Sequence, residues 1–357
     1  MGLFSKHNKQ APALEPTDDS SPGWDAITEH FDAAYPGQTN PAHYATIIKY
    51  RLGGNDPLDG VSVYRATSPV PHWHYVTYGY SDIYGERLAD DPEADSGFGI
   101  EMTFRLADPA VLDAAVTPPV WVVNLLQNLA RYVFRTGNVI YAKHHMSANG
   151  PIALDSDTAL TALAFTDDPV GTPIHTPSGL VRFVQAVGIT GQELDHCVAW
   201  NVDGVLDVIG QKWPRGITLL DRPGLDTDPA LVALVIEGQN REGSSLSSYR
   251  VETLGVDAID DGLTVTLSSF AVGKLATAAM SRLPHNRSLH VFGPDATLEL
   301  APQDGEPVRS TGSVDSAAVI SLTDEGLTAL AALPAAAGDY KVPEIPRVTW
   351  RLVETDE

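Results

Sequence analysis

Residues 98–106 constrain the fold more than any other stretch of the chain. Phe98, Ile100, Met102, Phe104 and Leu106 alternate with Gly99, Glu101, Thr103 and Arg105. This two-residue repeat puts every large apolar side chain on one face of a strand, whereas a helix would scatter them around its axis. Such a strand needs partners. Val61–Arg65, His72–Tyr80 and Leu180–Val187 carry the same β-type composition.

Helical spacings are interleaved with these strands. Ser21-Pro22 opens a helix bearing Trp24, Ile27, Phe31 and Tyr35, and Pro36-Gly37 stops it. Pro118-Pro119 opens another, with Trp121, Leu125, Leu129 and Tyr132 on one face and Gly137 as the C-cap. Thr190-Gly191-Gln192-Glu193 has the form of a capping box. Asp228-Pro229 starts a helix expected to end near Gly238. Strand signals follow at Leu263–Leu267, Ser288–Phe292, Ala296–Leu300 and Ala317–Leu322, then a helix from Thr323-Asp324-Glu325 to Pro334, then a strand alternating Val348, Trp350 and Leu352. Mixed signals throughout predict an α+β fold of two domains, each a mixed or antiparallel β-sheet packed with helices.

At 357 residues the chain exceeds one ordinary core. Residues 1–20 read as a flexible tail, 21–240 as the N-terminal domain, 241–262 (Ser-rich, then Asp260-Asp261-Gly262) as a linker, and 263–357 as a smaller C-terminal α+β domain. The 46 Asp and Glu against 23 Lys and Arg give a net charge of -23, which repels phosphate backbones and argues against nucleic acid. The same charge favours a basic partner, although an acidic habit of the whole host proteome explains it as well. Cys197 is the single cysteine, so an internal disulfide and a thiolate zinc cluster are both excluded. No secretory leader, myristoylation pattern or run of about 18 apolar residues is present, which places the chain in the cytoplasm, away from membranes.

The catalytic patterns fail one after another. His72-Trp73-His74 sets two imidazoles on one strand face, and a third metal ligand would have to come from His144, His145, His175 or His196. Histidines among Trp73, Tyr75 and Tyr78 read better as hydrogen-bonded core or cleft groups. Asp155-x-Asp157 and Asp226-x-Asp228 lack the Gly and Glu that complete a calcium loop, so they read as turn and cap acids. No G-x-S-x-G elbow is present, Cys197 has no activating base nearby in sequence, and Gly53-Gly54 and Gly97-Phe98-Gly99 lack a phosphate-loop context. These readings imply no enzyme and no cofactor. The competing reading is an enzyme or metal-binding protein using His72, His74 and the acids of 90–95.

Four ordered blocks carry a resemblance. His72–Gly85 (HWHYVTYGYSDIYG), Ser96–Leu106 (SGFGIEMTFRL), Asn128–Phe134 and Thr176–Val181 closely resemble the suppressor-of-fused family, and a weaker likeness continues through Leu219–Arg222 and Ser321–Glu325 to Trp350. The resemblance implies a protein that grips and sequesters another protein, closing two domains around an extended segment in the cleft between them. In animal members a Tyr of an Ile/Leu-Tyr-Gly turn and an acid of the following loop contact that segment, and Tyr84 falls on that Tyr. Tyr80, Asp82, Tyr84, Asp91, Glu93 and Asp95 are therefore the candidate partner-binding residues. The acidic loop is shorter here, and the long insertion that animal members carry in the second domain is missing. Richness in Ala, Asp and Val with few Lys points to a bacterial host. Bacterial relatives are thought to serve often as immunity proteins, so the implied partner is a toxin-like protein.

Overall fold

The computed structural model describes residues 21–38, 40–50, 53–85, 91–154, 156–259, 262–303, 308–309 and 317–354. The tail expected over 1–20 lies outside them. The chain divides into two compact units. One holds the described residues as far as Ile189 together with Trp213–Arg222, and the other holds Thr190–Lys212 and everything described from Pro223 onward.

The first unit is built on an eight-stranded sheet. In chain order its elements are helix α1 (Pro22–Ala34), β1 (Ala42–Ala45), β2 (Gly60–Ala66), β3 (His72–Tyr78), β4 (Asp95–Ala107), helix α2 (Trp121–Thr136), β5 (His145–Ser147), β6 (Leu160–Asp167), β7 (Ile174–Thr176) and β8 (Gly179–Thr190). The strand order is β1-β2-β3-β4-β8-β6-β5, with β7 paired to β8. β2, β3 and β4 form an antiparallel meander, and β4 then pairs in parallel with β8, Met102 opposite Val184.

Both faces of this sheet are covered, so β3 is buried at every position. One face packs Trp73, Tyr75, Ile100, Met102 and Phe104 against Val122, Leu126, Ala130 and Val133 of α2. Of the expected Trp121-Leu125-Leu129-Tyr132 face, Leu129 is buried in this core, while Trp121, Leu125 and Tyr132 are half-buried at its edge. Gly137 caps α2 in the left-handed region at φ 71°, as the sequence implies, and its N–H bonds the Val133 carbonyl. The other face packs Tyr64, Val76, Tyr78 and Phe183 under Ile27 and Phe31 of α1.

The second unit contains α3 (Gly191–Ala199), α4 (Val202–Ile209), α5 (Pro229–Glu242), β9 (Ser248–Arg250), β10 (Leu254–Ile259), β11 (Gly262–Ser268), α6 (Ser269–Met280), β12 (Leu289–Phe292), β13 (Thr297–Pro302), β14 (Val308–Arg309), β15 (Ala317–Leu322), α7 (Asp324–Ala331), β16 (Gly338–Tyr340) and β17 (Val348–Val353). Two sheets, ordered β10-β11-β17-β16 and β14-β15-β13-β12-β9, contribute Val265, Trp350, Leu298 and Ile320 to one core with Leu275 and Ala279 of α6. The capping box forms completely: Thr190 Oγ1 accepts the Glu193 N–H at 3.2 Å and Glu193 Oε2 accepts the Thr190 N–H at 2.8 Å.

Two sequence boundaries differ from what the structure shows. α5 runs on through Gly238 to Glu242. Gly238 is there because a Cβ would overlap the Trp200 ring, which Gly204 of α4 also faces. The segment 241–262 is no linker. Ser248–Arg250 pairs in parallel with β12, Leu254–Ile259 pairs with β11, and the buried Ser244 hydroxyl donates to the Val198 carbonyl at 2.6 Å. Serine richness reads as loop, yet these hydroxyls and amides have partners within the second unit.

Candidate functional site

The turn after β3 is held rigidly by groups far apart in sequence. Glu101 on β4 is completely buried and accepts four hydrogen bonds: from Thr77 Oγ1 at 2.6 Å, the Gly79 N–H at 2.9 Å, and the Ser81 N–H and hydroxyl at 3.0 and 2.7 Å. Burial pushes this carboxyl up from 4.5 to about 7, although the four donors pull it back. The Tyr80 carbonyl accepts the Phe98 N–H, and the Asp82 N–H donates to Ser96 Oγ, so the turn lies against the start of β4. The N–H groups of Gly23 and Trp24 at the start of α1 both donate to the Ile83 carbonyl at 3.1 Å. Gly23 is required at that approach, since a Cβ would meet the Asp82 carbonyl oxygen at 2.5 Å.

Tyr84 is half-buried at the surface of this turn. Its hydroxyl donates to Asp59 Oδ1 at 3.0 Å and accepts from Lys49 Nζ, whose ammonium also stands 4.4 Å from the ring centroid. Burial raises the phenol above its ordinary value. Asp82 is half-buried and accepts from the Ser178 hydroxyl at 3.0 Å, in the β7–β8 hairpin. Asp91 is exposed and closes its own turn by accepting the Glu93 N–H. Glu93 faces His175 at 3.7 Å, and Asp95 pairs with Arg182 of β8 at 2.6 Å; all four groups are exposed. Asp90 and Asp155 lie outside the described residues. Turn, acidic stretch and hairpin therefore meet at one rim of the first unit.

Tyr80 does not join them. It is 1% exposed, packs in the α2-side core near Phe134, and burial raises its phenol well above its ordinary value. A partner cannot reach it, because the strand alternation that would present it ends at Tyr78, where Gly79 at φ 140° turns the chain.

The two strand histidines are also internal. His74 is fully buried, with Nε2 2.9 Å from Asp168 Oδ2 and Nδ1 2.6 Å from the Tyr35 hydroxyl. Burial alone would raise Asp168. The contact with His74 and the donors Thr103, Val170 and Gly171 outweigh that and hold it well below the usual carboxylate range. The Tyr35–His74–Asp168 chain latches the end of α1 to the sheet. His72 Nδ1 bonds the Val70 carbonyl at 2.7 Å, and burial pulls its imidazole down to about 4. Trp73 and Tyr75 pack on the opposite face, as the strand period requires. His144 accepts from the Tyr141 N–H, His145 stands on β5, His175 is at the rim and His196 bonds Asp226 at 2.8 Å. Among the described residues, no three His, Cys, Asp or Glu converge as metal ligands. Cys197 is buried and its thiol is pushed far up by desolvation. No described helix is long and apolar enough to cross a membrane.

Residues 54–223 match the family model of the suppressor of fused protein. The human suppressor of fused homolog is 37% identical over 244 residues, 63% of this chain and 49% of the relative, and the mouse homolog gives the same figures. A chain of the Sufu–Fu complex crystal structure is 33% identical with a TM-score of 0.56, and the alignment covers 60% of this chain and 97% of that one. The chain belongs to the suppressor of fused family. The crystal structure of Drosophila Suppressor of Fused shares the fold over 96% of this chain and 100% of its own, with a TM-score of 0.75 at 24% identity. This suppressor-of-fused chain spans about half the length of the curated mammalian relatives it matches.

Lys49, Asp59 and Ser178 carry no local signal in sequence for this site. They reach the turn only through sheet order and the α1 contact. Glu101 is the member that a signal could reveal, as the one ionisable acid inside the strongest strand.

Proposed function

We propose that this chain is a non-catalytic binding protein that holds an extended segment of another protein at the rim formed by Asp82–Gly85, Asp91–Asp95 and the β7–β8 hairpin. The observation that carries the reading is the pinned Tyr84: its turn is tied to α1, β4 and a buried carboxylate, so little conformational freedom remains to be lost on binding. Its half-buried ring is aromatic surface at the end of that turn, and Asp91 and Glu93 stand exposed in the acidic stretch that packs on the β7–β8 hairpin, where they can meet a cationic side chain. One relative of known structure is in a complex with Fu, which agrees with a protein partner. Family membership and the acidic net charge support a cytoplasmic immunity-type role in a bacterial host, with a basic segment of a toxin-like protein as the occupant.

The test is binding of a toxin-like protein encoded beside this one, measured by surface plasmon resonance. Tyr84→Ala should weaken it by about 2 kcal/mol, close to thirtyfold, while the folded chain keeps its circular dichroism spectrum. Unchanged affinity with a verified partner would move the binding surface elsewhere.

A further inference from the structure

The second unit carries a groove of about 640 Å³ with a character opposite to the rest of the chain. Its floor is the outward face of β11 and β17, where Thr264 and Thr349 sit side by side in the parallel register while Val265 and Trp350 point into the core. The loop from Lys341 to Arg347 forms its wall. Arg351 is engaged, since its guanidinium grips Asp339 through two bonds of 2.9 and 3.0 Å, with Asp257 adding to the field around it. The side chains of Lys341 and Arg347 line the groove and, among the described residues, make no hydrogen bond or ion pair, although the Lys341 charge also acts on Asp339 in the same lining. In a chain with twice as many acids as bases, two such cations in one concavity are out of keeping with a randomly solvated face. Two more acids, Asp260 and Asp261, precede Gly262 and lie outside the described residues.

Backbone geometry adds an independent observation. Arg347 has φ 65°, in the left-handed region that disfavours a residue with a Cβ and not glycine. The turn itself needs that φ: the Arg347 carbonyl accepts the Leu263 N–H at 2.7 Å and so joins the loop to β11. Glycine would serve the turn better, so the arginine side chain is what the position keeps at that cost.

From these observations we propose that the groove binds a small, multiply charged oxyanion, a phosphate or carboxylate compound, with Lys341 as a point charge, Arg347 as a planar fork and the half-buried Thr349 hydroxyl as a further donor. This site is separate from the protein-binding rim and does not depend on that reading. Isothermal titration of the full chain at low ionic strength, with pyrophosphate in one arm and citrate in the other, tests it. Saturable one-to-one binding tighter than about 1 mM is expected with at least one of them, and the anion that binds fixes the chemistry. Arg347→Gly should melt no lower than the wild type yet bind at least about tenfold more weakly, Lys341→Ala should weaken binding similarly, and Arg250→Ala should not change it. Absence of saturable binding in both arms, or wild-type binding by Arg347→Gly, overturns the proposal.

Discussion

Replacing Glu101 by Gln should change how the stability of the first unit depends on pH. The carboxyl is wholly buried, and its pKa rises from 4.5 to about 7 on folding because desolvation outweighs the four donors around it. Below 4.5 the group is protonated in both states and its contribution is fully present. Between 4.5 and about 7 the unfolded chain has released the proton while the folded chain keeps it, so stability falls as pH rises. Roughly two and a half pH units at about 1.4 kcal/mol each amount to about 3 kcal/mol, most of it lost between about pH 5 and 8. Gln does not titrate. The stability of the wild type minus that of Glu101→Gln should therefore drop by about 2–3 kcal/mol across that range. His72, neutral in the fold down to about 4, loses stability in the other direction as pH falls, but it does so in both proteins and cancels. The assay is urea unfolding followed by hydrogen exchange in peptides spanning β3 and β4, which reads the first unit by itself. A difference that stays flat with pH, or rises with it, would refute the reasoning; a rise would mean that the four hydrogen bonds hold Glu101 ionised.

Neutralising Asp91, Glu93 and Asp95 together should slow association with a basic partner and flatten its salt dependence; an unchanged on-rate at low and high salt would release the acids from that role. The fold should tolerate the triple change, because the Asp95–Arg182 pair is exposed at both ends and such pairs contribute under about 1 kcal/mol. Gly238→Ala drives a methyl group into the Trp200 ring and should cost about 1–3 kcal/mol, seen as a lower urea midpoint, whereas Gly273→Ala on α6, with open space at its Cβ, should not. Cys197 should resist alkylation by iodoacetamide in the native state and react once the chain is unfolded; rapid native labelling would contradict its burial.

Short-range physics is legible in the sequence wherever a residue acts through its neighbours. The α1 start at Pro22, the Gly137 cap, the Thr190–Glu193 box and the alternation of β17 all follow from spacing alone. α6 leaves no such trace because it is buried along much of its length and alanine-rich, so its apolar residues show little periodic contrast. The candidate site divides along the same line. Tyr84 and the acids of 91–95 are local in sequence, and the β7–β8 hairpin contacts both Asp82 of the Tyr84 turn and Glu93 of the acidic stretch. Tyr80 falls out of the set because the strand pattern extends in sequence two residues past the end of β3 itself. Asp59, Lys49 and Ser178, which position Tyr84 and Asp82, are set by strand order and loop closure, which no local pattern encodes.

Trp213–Arg222 returns to the first unit after α3 and α4 have been laid down in the second, and Thr218 pairs there with Leu106 while its carbonyl accepts the Ala107 N–H. The polypeptide thus crosses between the units three times. For anyone cutting the gene, a stop codon after Ile189 deletes the piece that bonds Leu106 and Ala107, and a stop after Arg222 retains two helices that belong to the other unit. No single truncation releases either unit intact. A ribosome faces the same ordering: the first unit, which includes Trp213–Arg222, cannot be completed until residue 222 has left the exit tunnel, one residue short of where the family match ends.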